Sequence, residues 1–338
     1  MKVLVTGGAG FVGSHTVVEL VAAGHDVHVV ENFCNSERWI IERIERITGQ
    51  PLSLDVLDIR DRDALLASMR LFQPDAVIHF AALKSVSESA EMPGVYYDVN
   101  VGGTATLLDV MRETGCRNVV FSSSATVYGQ PESCPVEESA PLRPGNPYGR
   151  TKLIGEWLIR DCAAAPGSLL SAAILRYFNP VGAHPSGLIG ELPRGVPNNL
   201  APYITQTAAG QRDYIRVFGN DYDTPDGTGV RDYIHVVDLA KAHVAALDAL
   251  VRTHERELTL NLGTGRGYSV LELIESFSAA VGSAIPYQLQ GRRAGDVGEC
   301  WADPARANEV LGWRAEKTLQ DICVDAWRWQ QGSSTGTG

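Results

Sequence analysis

The stretch Lys2-Val3-Leu4-Val5-Thr6-Gly7-Gly8-Ala9-Gly10-Phe11-Val12-Gly13 sets the expected fold. Its first five residues read as a short apolar strand, and G-x-x-G-x-x-G follows at the turn into a helical run beginning near Ser14. Gly7 permits the tight turn, Gly10 lets the backbone approach a pyrophosphate, and Gly13 lets the helix close on the strand. A glycine triad alone would also suit any tight strand-to-helix loop. The next apolar strand, Val27 to Val30, adds to it by ending in Glu31, about 18 residues past Gly13, where an acid accepts the hydroxyls of an adenine ribose. A carboxylate there repels a 2′-phosphate, so NAD is expected rather than NADP. The alternative is a solvated acid at a strand end.

Strands and helices then alternate. Helices read from Glu37 to Thr48, Arg62 to Phe72 and Pro93 to Thr114, and strands from Leu52 to Asp55, Ala76 to Phe80 and Asn118 to Phe121. This is the pattern of an α/β chain with a doubly wound parallel sheet of Rossmann type and a smaller mixed α/β C-terminal part. The helical run Val237 to Val251 and the strand-like Leu258 to Leu262 return to the first sheet. Residues 1–178 and 234–262 are thus expected to bind the dinucleotide, and 179–233 with 263–331 to form the substrate domain. Gly332 to Gly338, all Gly, Ser and Thr, reads as a frayed tail. Asp58 either hydrogen-bonds an adenine amino group or caps the following helix. Ala81 and Ala82 are small enough for a cofactor to lie against the backbone, and His79 reads as a satisfied core histidine.

Past the strand at Asn118 come Ser122-Ser123-Ser124-Ala125-Thr126, expected just beyond its carboxyl end, where the ligand crevice of such a sheet lies. The next helix starts after Pro147 and carries Tyr148 and Lys152. Four apart, they share a helix face, and an ammonium beside a phenol favours the phenolate, drawing its pKa below the ordinary value of about 10. The alternative is a lysine lying along a half-buried tyrosine.

The chain has 338 residues and a net charge of -11, which argues against a sequence-independent grip on nucleic acid or on an anionic membrane. No run of 18 apolar residues and no leader-like segment occurs, so a cytoplasmic protein is expected. Six scattered cysteines without paired spacing read as thiols, and no metal site is expected.

With these motifs in hand, the sequence resembles the extended short-chain dehydrogenase/reductase family, and within it the UDP-glucose (UDP-galactose) 4-epimerases, over nearly its whole length. The most specific stretches are Ser122–Gly129, the Tyr148/Lys152 pair, Leu175–Gly187, Pro197–Leu200 and Gly229–Val236. The resemblance implies an NAD-dependent isomerase in which NAD stays bound, a UDP-sugar substrate and a homodimer built from the helices near 93–114 and 147–165. It implies that Tyr148 takes the proton of the sugar 4-hydroxyl while carbon 4 passes its hydride to NAD. The 4-keto sugar then turns and regains hydride on its other face. Ser124 would relay the proton, and Lys152 would hold the nicotinamide ribose.

The same resemblance implies a cofactor site of Gly7, Gly10, Phe11, Val12, Gly13, Glu31, Asn32, Asn35, Ser36, Asp58, Ile59, Phe80, Ala81, Ala82, Lys84, Asn100, Ser122, Tyr148, Lys152, Tyr177 and Phe178. For the sugar and diphosphate it implies Lys84, Ser124, Ala125, Thr126, Tyr148, Phe178, Asn179, Asn198, Asn199 and Leu200. Arg231 and Arg292 would neutralise the diphosphate, and Phe218 and Asp296 would bracket the uracil and ribose. Arg231 beside Asp232 also reads as an ordinary ion pair, and Arg292 as part of a solvated loop.

Two positions depart from the family pattern. Glu31 stands where Asp is usual. Cys300 stands where bacterial members often carry a bulky Tyr beside the sugar 2-substituent, so UDP-GlcNAc and UDP-GalNAc are expected substrates as well. A nucleotide-sugar 4,6-dehydratase would need an Asp-Glu pair where this chain has Ala125-Thr126. A UDP-uronate 4-epimerase would need one more cation, and a non-catalytic NAD-binding regulator could dispense with Tyr148, Lys152 and Ser124.

Overall fold

Val3, Leu4 and Val5 are wholly buried because the strand they form, β1 (Lys2–Thr6), is covered on both faces. Val3 and Val5 enter one apolar cluster and Leu4 another, as strand alternation demands. The computed structural model describes residues 1–253, 256–293 and 295–334. After β1 come α1 (Phe11–Ala22), β2 (Asp26–Glu31), α2 (Trp39–Thr48), β3 (Ser53–Val56), α3 (Arg62–Phe72) and β4 (Ala76–His79). The chain continues through α4 (Val86–Glu91), α5 (Pro93–Tyr96), α6 (Gly103–Thr114), β5 (Asn118–Ser124), α7 (Pro147–Ala164) and β6 (Ser171–Tyr177). Then follow β7 (Asn179–Val181), α8 (Leu200–Ala208), β8 (Ile215–Phe218), β9 (Val230–Arg231), β10 (Tyr233–His235), α9 (Val236–Thr253) and β11 (Glu257–Leu262). The last elements are β12 (Tyr268–Ser269), α10 (Val270–Val281), β13 (Tyr287–Gln290), β14 (Glu299–Cys300), α11 (Ala305–Leu311) and α12 (Leu319–Ser334).

Seven strands pair in parallel in the order β3-β2-β1-β4-β5-β6-β11. This is the doubly wound sheet the alternation predicts, with the order reversing between β1 and β4 and β11 returning to the far edge. A ligand crevice is expected beyond the carboxyl ends of strands at that reversal. Gly13 is what lets α1 start so close to β1: a Cβ built there would lie 2.2 Å from the Gly7 carbonyl oxygen. The later elements form smaller sheets, β7·β10, β12·β9·β14 and β8·β13, around a third cluster that includes Ile204, Ile215, Tyr233, Phe277 and Ile322.

The structure differs from the sequence expectation at several ends. Helix α2 begins at Trp39 rather than Glu37. Strand β5 does not stop at Phe121, because it stays paired with β6 as far as Ser124↔Tyr177, so the three serines lie within the strand. The long helix from Pro93 is interrupted by a π-helical turn, Tyr97–Gly102, a feature common at functional sites. The expected frayed tail is helical through Ser334. The end of α12 is held by Arg328 Nη1 on the Pro185 carbonyl at 2.8 Å and by Trp329 Nε1 on the Glu191 carbonyl at 3.0 Å. Residues 335–338 of that tail lie outside the described residues. All six cysteines are free, and no helix among the described residues is long and apolar enough to cross a membrane.

Gly13→Ala should force α1 away from β1 and cost about 2 kcal/mol or more. Gly94→Ala, where a Cβ would meet nothing within 4 Å, should stay within about 0.5 kcal/mol of the parent. Urea denaturation of both variants checks this, and equal midpoints would refute the close-packing argument.

Candidate active site

Helix α7 carries the central pair. Asn146 caps it by accepting from the Gly149 N–H at 2.8 Å, and Pro147 occupies its first turn. A Cβ on Gly155 would lie 2.6 Å from the Phe121 ring, so the absence of a side chain there lets α7 lie directly on β5. That approach buries Tyr148, Lys152 and Ser124 together at the end of the sheet. Lys152 Nζ donates to the Ser122 carbonyl at 2.7 Å and faces the rings of Phe121 at 5.2 Å and Tyr148 at 6.0 Å. Among the described residues, no carboxylate lies within ion-pair distance of it.

Burial therefore lowers the Lys152 pKa to about 8. Burial also raises Tyr148 to about 12, offset in part by the hydrogen bond with Ser124. In the protein alone the phenol thus stands above its ordinary value, opposite to the direction expected from the neighbouring ammonium, because burial is the largest influence on it. Ser124 Oγ accepts from the Thr126 N–H at 3.2 Å and the Thr126 hydroxyl at 3.0 Å. With both acceptor positions used, its own O–H is left to donate. Ser122 Oγ pairs with the Tyr177 hydroxyl, whose pKa burial raises.

A buried network beneath this group was not singled out in the sequence. Arg176 forks onto Glu156, Nε to Oε1 at 2.9 Å and Nη2 to Oε2 at 2.7 Å, and both side chains are buried. Ser123 donates to Glu156 Oε1 at 2.6 Å. Arg176 Nη1 reaches the Tyr128 hydroxyl at 3.0 Å, and Tyr128 donates to Asn261 Oδ1 at 2.7 Å. The available signal was the spacing: 148, 152 and 156 repeat every four residues on one helix face. His79 is a core histidine as expected. It bonds Thr6 at 2.7 Å and Thr104 at 3.0 Å, and burial followed by the Lys152 charge lowers it to about 3.

The cofactor candidates line the sheet ends at the reversal. The Glu31 carboxylate is buried and accepts from the Ala9, Asn32 and Phe33 N–H groups at 3.2, 2.9 and 3.1 Å. Burial raises its pKa and those bonds pull it back, so it is not a solvated acid. Asn32 Nδ2 donates to Asp58 at 3.1 Å, and bonds from Arg60 hold Asp58 down at about 2. Asp61, not Asp58, caps α3, which removes the capping alternative. Asn35 is exposed, Ser36 and Ile59 are buried, and Phe11, Val12, Phe80, Ala81 and Ala82 are half-buried at the crevice. Asn100, aimed by the π-helical turn, joins the Leu83 backbone at 2.8 and 3.0 Å to Thr151 at 3.0 Å.

The sugar candidates are more dispersed. Lys84 Nζ and Asn199 Nδ2 both reach Glu191 Oε1, at 2.9 and 2.5 Å. Asn198 bonds Ser85 at 3.1 Å, Leu200 opens α8, and Asn179 is exposed on β7. Ala125, Phe178 and Cys300 share one apolar cluster, and Cys300 pairs with Arg231 across β14·β9. Arg231 donates to the Val230 and Val297 carbonyls at 2.8 and 2.9 Å. Asp232 instead accepts from the Thr264, Gly265 and Ala302 N–H groups, so the Arg231–Asp232 ion pair does not form. Arg292 is half exposed, pairs with Asp221 at 2.8 Å and stacks over Tyr222. Asp296 pairs with Arg293, which lies over the Phe218 ring.

The glycine turn, the strand ends and a buried ammonium with no carboxylate partner among the described residues form a donor set that fits a dinucleotide. The model of the GDP-mannose 4,6 dehydratase family matches residues 4–326. A UDP-glucose 4-epimerase of Dictyostelium discoideum is 51% identical over 336 residues, covering 99% of this chain and 97% of its own. The chain belongs to the UDP-glucose 4-epimerase family. A solved epimerase from Stenotrophomonas maltophila, with bound NAD and formylated UDP-arabinopyranose, is 53% identical with a TM-score of 0.97 and 99% of each chain covered. That of Bifidobacterium longum, in complex with NAD+ and UDP, is 48% identical with a TM-score of 0.94, covering 99% of this chain and 100% of its own.

Arg176→Met should cost about 2 kcal/mol in urea denaturation, because the buried Glu156 loses its fork and keeps only Arg160 Nη1 at 3.2 Å and Ser123 as partners. Adding Glu156→Leu should recover part of that loss. A single-variant cost below about 1 kcal/mol would show that the network does not hold α7 to the sheet.

Proposed function

We propose that the protein interconverts UDP-glucose and UDP-galactose at carbon 4 on a retained NAD, and accepts the 2-N-acetylated pair as well. The observation that carries this reading is the buried trio Ser124, Tyr148 and Lys152, with a lysine ammonium that has a carbonyl oxygen but, among the described residues, no carboxylate as partner. Gly7 to Gly13, Glu31, Asn32, Asn35, Ser36, Asp58, Asn100 and Lys152 would hold NAD. When bound, it would take and return the hydride at carbon 4 and bring a positive charge.

Tyr148 is the group that holds the mobile proton. At about 12 it keeps that proton at neutral pH in the protein alone, so its use as a base needs added positive charge nearby. Ser124, whose O–H faces the Tyr148 oxygen in the protein alone, would turn to the reacting oxygen and pass the proton. Arg231 and Arg292 would meet the diphosphate, Arg231 from the strand that also presents Cys300. Cys300 belongs to the apolar cluster that holds Phe178 and Ala125, and its side chain is much shorter than a Tyr would be at that position.

A UDP-uronate reading is less well supported. Lys84, the cation beside Asn199, is already paired with Glu191, whose carboxylate would repel a sugar carboxylate. A homodimer is part of the proposal. Val86, Met92, Val95 and Trp157 leave exposed apolar surface on and around α4, α5 and α7.

Tyr148→Phe should lower turnover by about 10²–10⁴-fold while NAD still co-purifies, and unchanged turnover would sink the mechanism. Incubated without added NAD, the parent should convert UDP-galactose and UDP-GlcNAc but not UDP-glucuronate. Cys300→Tyr should reduce UDP-GlcNAc turnover at least about tenfold relative to UDP-galactose, and an unchanged ratio would remove Cys300 as the size determinant.

A further inference from the structure

The loop after β2, from Asn32 to Glu37, has no regular structure, so its backbone groups need partners from elsewhere. The Asn32 and Phe33 N–H groups go to Glu31 Oε1, and the Cys34 N–H goes to Asn32 Oδ1 at 3.0 Å. Three of its carbonyls, those of Phe33, Cys34 and Ser36, accept from Arg194, far away in the chain. Arg194 Nη1 donates to the Cys34 carbonyl at 2.5 Å, and Nη2 donates to the Ser36 carbonyl at 2.9 Å and to Glu37 Oε1 at 2.8 Å. One planar guanidinium thus holds both the carbonyl edge and the end of the loop, a geometry a lysine cannot reproduce.

The segment bearing Arg194 is anchored on both sides. Upstream, Arg43 Nη1 donates to the Leu188 carbonyl at 3.0 Å, Trp329 holds the Glu191 carbonyl, and Lys84 and Asn199 hold the Glu191 carboxylate. Downstream, Asn198 bonds Ser85, next to Lys84. The segment from Leu188 to Asn199 therefore crosses between β7 and α8 while tied to the loops after both β2 and β4. Those loops carry Asn32, Asn35, Ser36, Ala82 and Lys84, all candidates for the dinucleotide.

We infer that Arg194 is a cofactor-retaining residue: by clamping the Phe33–Glu37 backbone it slows release of the dinucleotide that this loop holds. It acts as a positioning residue, through the loop and not by touching the reacting atoms. The inference rests on the NAD reading above. It also assigns a second role to a segment whose other residues, Asn198 and Asn199, belong to the sugar candidates.

The test follows NAD itself. The parent, Arg194→Ala and Arg194→Lys are purified with whatever cofactor they retain, passed through gel filtration, and assayed over time for NAD still bound per chain. Release from Arg194→Ala should be about fivefold faster or more, the scale of a few charge-assisted hydrogen bonds at a half-exposed site. Arg194→Lys should fall between, and the NAD-stripped forms should melt together. Equal release from all three overturns the inference. So does faster release accompanied by an equal fall in melting temperature of the stripped variants, which would mean general destabilisation. Absence of NAD from the parent overturns the cofactor reading first, and this inference with it.

Discussion

The fork of Arg176 on Glu156 is the contact on which the site's geometry depends. It ties α7 to β6 in the interior, one helical turn past Lys152, and Ser123 joins the same carboxylate from β5. Three elements thereby meet at one pair of oxygens. With α7 held at that depth, Lys152 reaches the Ser122 carbonyl and Tyr148 lies against Ser124. A buried ion pair of this kind adds little net stability compared with a well-packed apolar pair, but loss of one partner is costly. Its value here is positional, because two parallel hydrogen bonds admit far less play than apolar packing.

That placement sets the electrostatics. Tyr148 and Lys152 are both displaced by burial in the direction that disfavours charge, the phenol upward and the ammonium downward. Under the proposed mechanism, a bound ligand that adds positive charge would be what brings Tyr148 into play as a base. The same low-dielectric setting, with the Lys152 charge, keeps His79 neutral.

Charge elsewhere in the crevice is distributed by loops rather than by the sheet. Glu191 takes Lys84, Asp221 takes Arg292, Asp296 takes Arg293, and Arg231 rests on backbone carbonyls. In a chain with a net charge of -11, the candidate cations for an anionic ligand thus already have partners. Exchange of those partners on binding would be local, within loops around a rigid sheet, which suits a site that must accept either epimer.

The sequence by itself determined the sheet, the family resemblance and the placing of Tyr148 and Lys152 on one helix face. Glycine spacing at residues 7 to 13, strand and helix periodicity, and the four-residue step from Tyr148 to Lys152 are local codes: each is set by backbone geometry within a few turns. The end of β5, the π-helical turn that aims Asn100, and the helical end of the chain were misread. In each case a distant neighbour, β6, the loop after β4 or the Pro185–Glu191 loop, overrode the local pattern. Only the tertiary structure decided the Glu156–Arg176 fork, the pairing of Lys84 with Glu191, the grip of Arg194 on a loop 161 residues earlier, and the opposed shifts of Tyr148 and Lys152. Desolvation and long-range partners exist only once the chain has folded, so spacing along it carries no direct record of them.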